Sequence, residues 1–326
     1  MLTIGIDVGN YDTKTQHSFT PSSYMSLKTQ NLLADEHIQY DGTYYSPTNT
    51  RDNQMIDKTE NDYCLIMSLF GIAKEIIHSI SSVFPECTPE EMQSHINTVD
   101  EIVLGVGLPA GYYSSQKEKL ENYYNEKFAG GLKFEYGSKG TTYHFNLTLK
   151  KCFVYIQDVV CAMSDKTVST PSNTDDYLVI GIGGGTVDVI PIENGSIAVE
   201  KTETIEMGSR VMYDYIIQKL QTETGKNYDY LLVERILLGK PTIVKDSIKD
   251  RVHEIAADFV SRMVAEIARR KIDIENKPSV CIGGGALIMK PYMEKDERFG
   301  SIEFIEDVNA NARCYATMSA MIIKTA

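Results

Sequence analysis

The chain has 326 residues, 42% of them hydrophobic, with 32 Lys and Arg against 45 Asp and Glu, a formal net charge of −13. That balance argues against general affinity for nucleic acid, which needs a positive surface to displace counterions, and no Lys/Arg-rich block offsets it. The length suffices for one or two substantial cores. Cys64, Cys87, Cys152, Cys161, Cys281 and Cys314 form no C-x-x-C pair and several sit in apolar runs, the pattern of reduced core thiols. No charged leader precedes residues 2–8 and no apolar run approaches about 18 residues, so a cytoplasmic protein without signal peptide or membrane span is expected.

In chain order, LTIGIDV (2–8) reads as a buried strand that runs into a glycine hairpin. Residues 15–62 are polar and turn-rich, with an Asp-Gly hairpin signal in QYDGTYYS (39–46). Apolar residues at helical spacing predict a long helix over 61–82, capped by Asn61 or Asp62, then a break at 84–89 and a short helix from Pro89 to Ile96. EIVLGVGLP (101–109) is a buried strand, 114–127 a polar-faced helix, and 132–156 a hairpin followed by another strand. Residues 157–165 read as a helix start and TVSTPSNTDD (167–176) as a linker. The second half restarts with strand LVIGI, a glycine turn, strand TVDVIPI, an Asn194-Gly195 turn and strand SIAVEKTETIE. Helices are predicted near 209–222, 228–238 and 245–271, then a strand-to-turn at 278–286 and a closing helix at 311–324.

IGIDVGNYDTK (4–14) and VIGIGGGTVDV (179–189) thus form a weak internal repeat in which Asp7-Val8-Gly9 aligns with Gly181-Ile182-Gly183. Backbone N–H groups of glycine turns can line an anion, and two such turns can face each other across a nucleotide. In the first, Lys14 can reach a phosphate as a point charge, and Asp7 can hold Mg²⁺ through water. Equally, Asp7 and Asp12 can be ordinary turn acids. In the second, Gly183, Gly184, Gly185 and Thr186 offer N–H groups and a hydroxyl, or simply a turn in a tightly packed sheet. Gly283, Gly284, Gly285 and Ala286 in IGGGA (282–286) can admit an adenine, a ribose or a phosphate. Glycines that lead into strand rather than helix count against a dinucleotide fingerprint. No H-E-x-x-H, G-x-S-x-G or G-x-x-x-x-G-K-[ST] occurs, and the six histidines are scattered.

In order and spacing these segments, with GVGLPAGYY (105–113), VYIQDVVCAM (154–163), MGSRVM (207–212), CIGGGALIM (281–289) and NANARCYATM (309–318), resemble the actin superfamily of ATPases over nearly the full length. DGTYYS and DKTENDYCLIMSLFGIAKEI within 41–76, with the GLPAGYY run, resemble more narrowly the bacterial plasmid-segregation actins of the ParM/StbA type. The resemblance implies an α/β, actin-like fold of two ribonuclease-H-like domains with a nucleotide cleft between them. Domain I would span 1–166, with an insertion subdomain at about 15–100, plus the closing helix 311–326. Domain II would span 167–310, with a smaller helical subdomain at about 209–250. It also implies ATP (or GTP) and Mg²⁺ as cofactors, with Asp7 as the metal and water acid and Gly9, Asn10, Tyr11, Asp12 and Lys14 at the phosphates. Gln157 would orient the attacking water, and Gly208, Glu234 and Gly283–Ala286 would surround the nucleoside. Relatives begin the second hairpin with an aspartate where this chain has Gly181, while Asp188 at its far end reads as structural; slow turnover follows.

The function so implied is a nucleotidase that polymerises into filaments and moves plasmid DNA through a DNA-binding adaptor, with neither direct nucleic-acid contact nor a membrane partner. The alternative is a small-molecule kinase of the same superfold. Such enzymes usually need a longer chain and a cleft acid to activate a hydroxyl, and no clear candidate for that acid stands out.

Overall fold

The computed structural model describes residues 1–31, 34–48 and 57–325. Contacts divide the chain into two units, Met1–Cys161 with Asn309–Ala326, and Ala162–Val308.

In the first unit the described strands form one sheet in the order β3-β2-β1-β7-β9-β8-β5-β6-β4. These are β1 (Leu2–Val8), β2 (Asp12–Lys14), β3 (Phe19–Pro21), β4 (Tyr24–Leu27), β5 (Glu36–Tyr40), β6 (Thr43–Pro47), β7 (Glu101–Leu108), β8 (Leu132–Ser138) and β9 (Thr141–Ile156). The Asp-Gly signal lies between β5 and β6, where Asp41 and Gly42 both have positive φ, as a two-residue hairpin turn requires. The hairpin expected within 132–156 forms from β8 and β9, and the separate strand expected after it is the second half of β9. The first half of β9 pairs antiparallel with β8 and its second half parallel with β7, so a single 16-residue strand serves two neighbours.

Helices α1 (Tyr63–Val83), α2 (Pro89–Ile96) and α3 (Ala110–Phe128) complete the unit with α10 (Ala310–Thr325), and α4 (Val159–Ser164) spans the boundary between the units at Cys161. The Asn61 side chain accepts from the Tyr63 N–H at the start of α1 (2.9 Å), and Thr88 and Glu91 close a capping box on α2. Helix α3 begins four residues before the predicted start, directly after Pro109. Contrary to the run-length expectation, α1 is long and apolar enough to cross a membrane by composition; its apolar side chains, Leu65 to Ile76 among them, are buried in the unit's core. Of the turn-rich stretch 15–62, residues 32–33 and 49–56 lie outside the described residues, as does Ala326 of the closing helix.

The core turns on how α10 meets the sheet. Gly5 on β1 and Gly105 on β7 are partners in the parallel ladder, and a Cβ on Gly5 would overlap the Ala312 carbonyl. A Cβ on Gly105 would come to 2.7 Å from the Tyr315 carbonyl. Two adjacent residues without side chains therefore form a groove that seats the helix backbone directly on the sheet.

The second unit holds β10 (Tyr177–Ile182), β11 (Val187–Glu193), β12 (Ser196–Ile197), β13 (Glu203–Ile205), β14 (Ser279–Ile282) and β15 (Ile302–Phe304), in the order β12-β11-β10-β14-β15, with β13 also on β11. Its helices are α5 (Thr170–Asn173), α6 (Ser209–Thr224), α7 (Tyr230–Leu237), α8 (Asp246–Arg269) and α9 (Gly284–Met293). Two expectations fail locally. The single strand predicted over 196–206 is broken by a 3-10 turn at Val199–Lys201. The linker at 167–176 carries α5 and is anchored, since Glu303 accepts from the Ser169 N–H (2.5 Å) and hydroxyl (2.7 Å).

The groove predicts an asymmetry between glycines. Gly5→Ala should lower the unfolding free energy by about 2–3 kcal/mol in urea titrations, because the clash is with backbone that cannot swing away. Gly111→Ala, in the first turn of α3 with open space around its Cβ, should be neutral or stabilise by up to about 1 kcal/mol.

Candidate functional site

In the first unit β1, β7 and β9 run parallel, so their carboxyl ends share one edge, where open α/β sheets bind ligands. Asp7 lies at that edge on β1, opposite Lys14 on β2, with Val8 opposite Thr13. The intervening turn closes through the Gly9 N–H, which donates to the Asp12 carbonyl (3.2 Å). A Cβ on Gly9 would sit 2.9 Å from that oxygen. Asn10 and Tyr11 form the tip. The Lys14 ammonium makes no ion pair among the described residues. Gln157 follows β9 directly, and its N–H donates to the Leu108 carbonyl at the end of β7 (2.8 Å).

Two residues absent from the sequence-based set complete this edge. Asp158 is buried and holds φ at +68°, a left-handed conformation that disfavours any residue but glycine and, less strongly, Asn or Asp. Asn311, buried in the first turn of α10, secures it. Its Oδ1 accepts from the Asp158 N–H (3.2 Å), and its Nδ2 donates to Asp158 Oδ1 (2.7 Å) and to Asp7 Oδ2 (3.3 Å). The amide has two hydrogens and spends one on each acid. One turn along α10, Tyr315 is fully buried; burial, then the charges of Asp7 and Asp158, raise its phenol well above the usual range.

Asp7 Oδ1 is also buried and has no hydrogen-bond partner among the described residues. A buried carboxylate oxygen without a partner, beside a second buried carboxylate, is costly unless a cation or its water reaches it. Magnesium suits such a donor set, because it keeps several waters and uses one or two carboxylates together with phosphate oxygens. Asp7 would hold it, and it would supply charge neutralisation at a bound polyphosphate.

The second unit repeats the hairpin with different chemistry. Gly181 stands opposite Asp188 and Ile182 opposite Val187, and the Gly183 N–H donates to the Thr186 carbonyl (3.0 Å), as Gly9 does to Asp12. The start of α6 then ties down the turn. The Ser209, Arg210 and Gly208 N–H groups donate to the Gly183 (3.0 Å), Gly184 (2.8 Å) and Gly185 (3.0 Å) carbonyls. In a trans peptide the N–H points opposite to its C=O. The N–H groups of Gly184, Gly185 and Thr186 are therefore turned away from α6, and none has a backbone partner among the described residues. Three successive N–H groups turned to one side have the polarity to line an anion.

Close approach explains the remaining glycines. A Cβ on Gly208 would lie 2.5 Å from the Gly184 carbonyl oxygen. Gly283 has φ +105°, and a Cβ there would lie 2.6 Å from the Ile182 carbonyl oxygen. Gly284, Gly285 and Ala286 open α9 against the same hairpin, a Cβ on Gly285 falling 2.8 Å from Ile182 O. The structure thus brings Asp7, Gly9, Asn10, Tyr11, Asp12, Lys14 and Gln157 to one edge of the first unit. It brings Gly183–Thr186, Gly208 and Gly283–Ala286 together in the second. Glu234 stands half-buried on α7, a helix that packs on α6 and α8. Asp188 is held by Thr204, whose hydroxyl donates to it (2.5 Å); burial nevertheless raises its carboxyl, outweighing the hydrogen bonds from Thr204 and Thr186.

Known proteins share this fold. Residues 179–295 match the family model described as archaeal actin homologue MreB-like, C-terminal. No curated protein matches the chain by sequence. Among solved structures the chain is similar to Ta0583, an archaeal actin homologue (TM-score 0.69, 19% identity, covering 98% of this chain and 100% of that one). It is also similar to Bacillus thuringiensis ParM with ATP (0.65, 13%, 99% and 99%). A third is the ParM of a 15-stranded filament from Clostridium botulinum (0.67, 13%, 98% and 100%). The fold is that of actin.

The raised carboxyl of Asp188 yields a signed pH prediction. An acid whose pKa is higher folded than unfolded opposes folding when ionised, and that cost vanishes below its unfolded value. Asp188→Asn should therefore match or exceed the wild type in stability at pH 7, with the advantage gone below about pH 4. Urea titrations across that range check it; a variant less stable at pH 7 contradicts it.

Proposed function

We propose that this chain is an actin-like nucleotidase that binds ATP or GTP with Mg²⁺ and assembles into filaments in a nucleotide-dependent way. The observation that carries the reading is the pair of hairpins built to one plan. One ends in a buried carboxylate with a free oxygen; the other turns three N–H groups away from its own helix. An acid for the metal and a nest for phosphate are the two things a metal–polyphosphate needs.

In this reading Asp7 holds Mg²⁺, while Gly9, Asn10, Tyr11, Asp12 and Lys14 meet the phosphates from the first unit. Gly183, Gly184, Gly185 and Thr186 meet them from the second. Gly208, Gly283, Gly284, Gly285, Ala286 and Glu234 accommodate the nucleoside. Gln157 orients the attacking water. Its neutral amide can align a water but cannot accept its proton, which makes hydrolysis slow. Filaments grow from a head-to-tail contact that does not close, and the polar, aromatic segment at about 15–60 forms part of that contact. One structural neighbour is a ParM filament and another a ParM with ATP, which supports both halves of the proposal. By the family resemblance, the filament is cytoplasmic and its cargo is plasmid DNA, held through a DNA-binding adaptor.

Light scattering of the purified protein should rise on addition of ATP or GTP with Mg²⁺ and decay as phosphate is released. A flat trace at every concentration, together with nucleoside diphosphate release that depends on a small-molecule acceptor, would overturn it in favour of a kinase. Asp7→Ala should abolish the metal-dependent rise and slow phosphate release at least about tenfold. Gly208→Ala should weaken nucleotide binding by pushing the hairpin carbonyls off the start of α6.

A further inference from the structure

We infer that Asp158 is the second carboxylate of the cation site, and that Asn311 is the positioning residue that aims both acids at the cation. The inference rests on the nucleotide reading above and assigns roles to two residues that reading leaves unused.

Asp158 is kept against two costs. Its backbone stands at φ +68°, where glycine would be the least strained residue. Its carboxylate is buried within reach of the same Asn311 amide nitrogen that bonds Asp7, so two negative charges share one small region. An acid retained under strain and beside a like charge makes sense where a dication is also bound. Asp7 Oδ1, on a side chain more than nine-tenths buried and with no partner among the described residues, is an independent sign that something else approaches from that side.

The second hairpin has no acid at the matching position. At the position equivalent to Asp7 it has Gly181, and Asp188 across the ladder bonds Thr204. Among the described residues no cluster of three or more His, Cys, Asp or Glu side chains forms a site for a softer or more demanding metal. Two oxygen acids close together suit magnesium, which takes one or two carboxylates and fills the rest of its shell with water and phosphate oxygens. The split of duties follows from the bonds. Asp7 has Oδ1 left for a cation while Asn311 holds Oδ2, and Asp158, its orientation fixed by both ends of the same amide, would add the second negative charge.

The test compares the binding of a fluorescent ATP analogue in EDTA and in excess Mg²⁺ for the wild type, Asp158→Asn and Asp158→Gly. The glycine variant relieves the left-handed backbone and should melt at or above the wild-type temperature, so a loss of function in it is not a loss of fold. Removing the charge should tighten binding in EDTA, by lowering repulsion of the phosphates, and weaken it in Mg²⁺. The enhancement by metal should therefore fall about tenfold or more in both variants. Asn311→Ala should lower it in the same direction. If the wild type binds no nucleotide in either buffer, the proposed function fails and this inference with it. If the wild type shows metal-enhanced binding and both Asp158 variants keep that enhancement within about twofold, only the role of Asp158 is overturned.

Discussion

A single amide holds the functional edge of the first unit together. Asn311 reaches Asp7 on the first strand and Asp158 after the ninth, residues 304 and 153 positions away in the chain. It can do so because α10 sits with its backbone against Gly5 and Gly105, which brings the first turn of the helix to the ends of the strands. A larger side chain at either glycine would lift the helix and withdraw the amide. Without it, two carboxylate oxygens within about 6 Å of each other repel by about 3 kcal/mol at the effective dielectric of a protein interior.

The same economy explains why the two hairpins, alike in hydrogen bonding, do different work. In the first, the strand ends in Asp7 and returns through Lys14, which gives it charges of both signs. In the second, those positions are Gly181 and Asp188, and the acid is occupied by threonine hydroxyls. What the second hairpin has instead is backbone. Its three carbonyls are spent on α6, and that orients three N–H groups the other way. One hairpin thus presents a carboxylate and the other backbone N–H groups, the contrast on which the proposed reading rests.

Much of this was legible in the sequence because it is local. Alternating glycines after apolar runs mark both hairpins, periodic apolar residues mark α1, and the Asp-Gly and Asn-Gly pairs mark their turns. Errors arose where neighbours along the chain were not the deciding neighbours. Strand β9 looked like two pieces because its exposure pattern changes where its partner changes from β8 to β7. The stretch 196–206 looked like one strand because nothing in it announces the 3-10 turn. Asp158 and Asn311 were missed for a plainer reason. An Asp after a Gln and an Asn at the start of a helix have ordinary local explanations, and only the docked α10 makes them partners.

Asp7 and Asp158, tied to one amide nitrogen, should be coupled through space. A double-mutant cycle on unfolding free energy, with Asp7→Asn, Asp158→Asn and the pair, measured at pH 7 without metal, reads that coupling directly. Two repelling charges tied by one amide predict that either single substitution captures most of the relief. The double variant should then be less stable than the sum of the singles implies, by about 1–3 kcal/mol. Strict additivity, or a coupling of opposite sign, would contradict it.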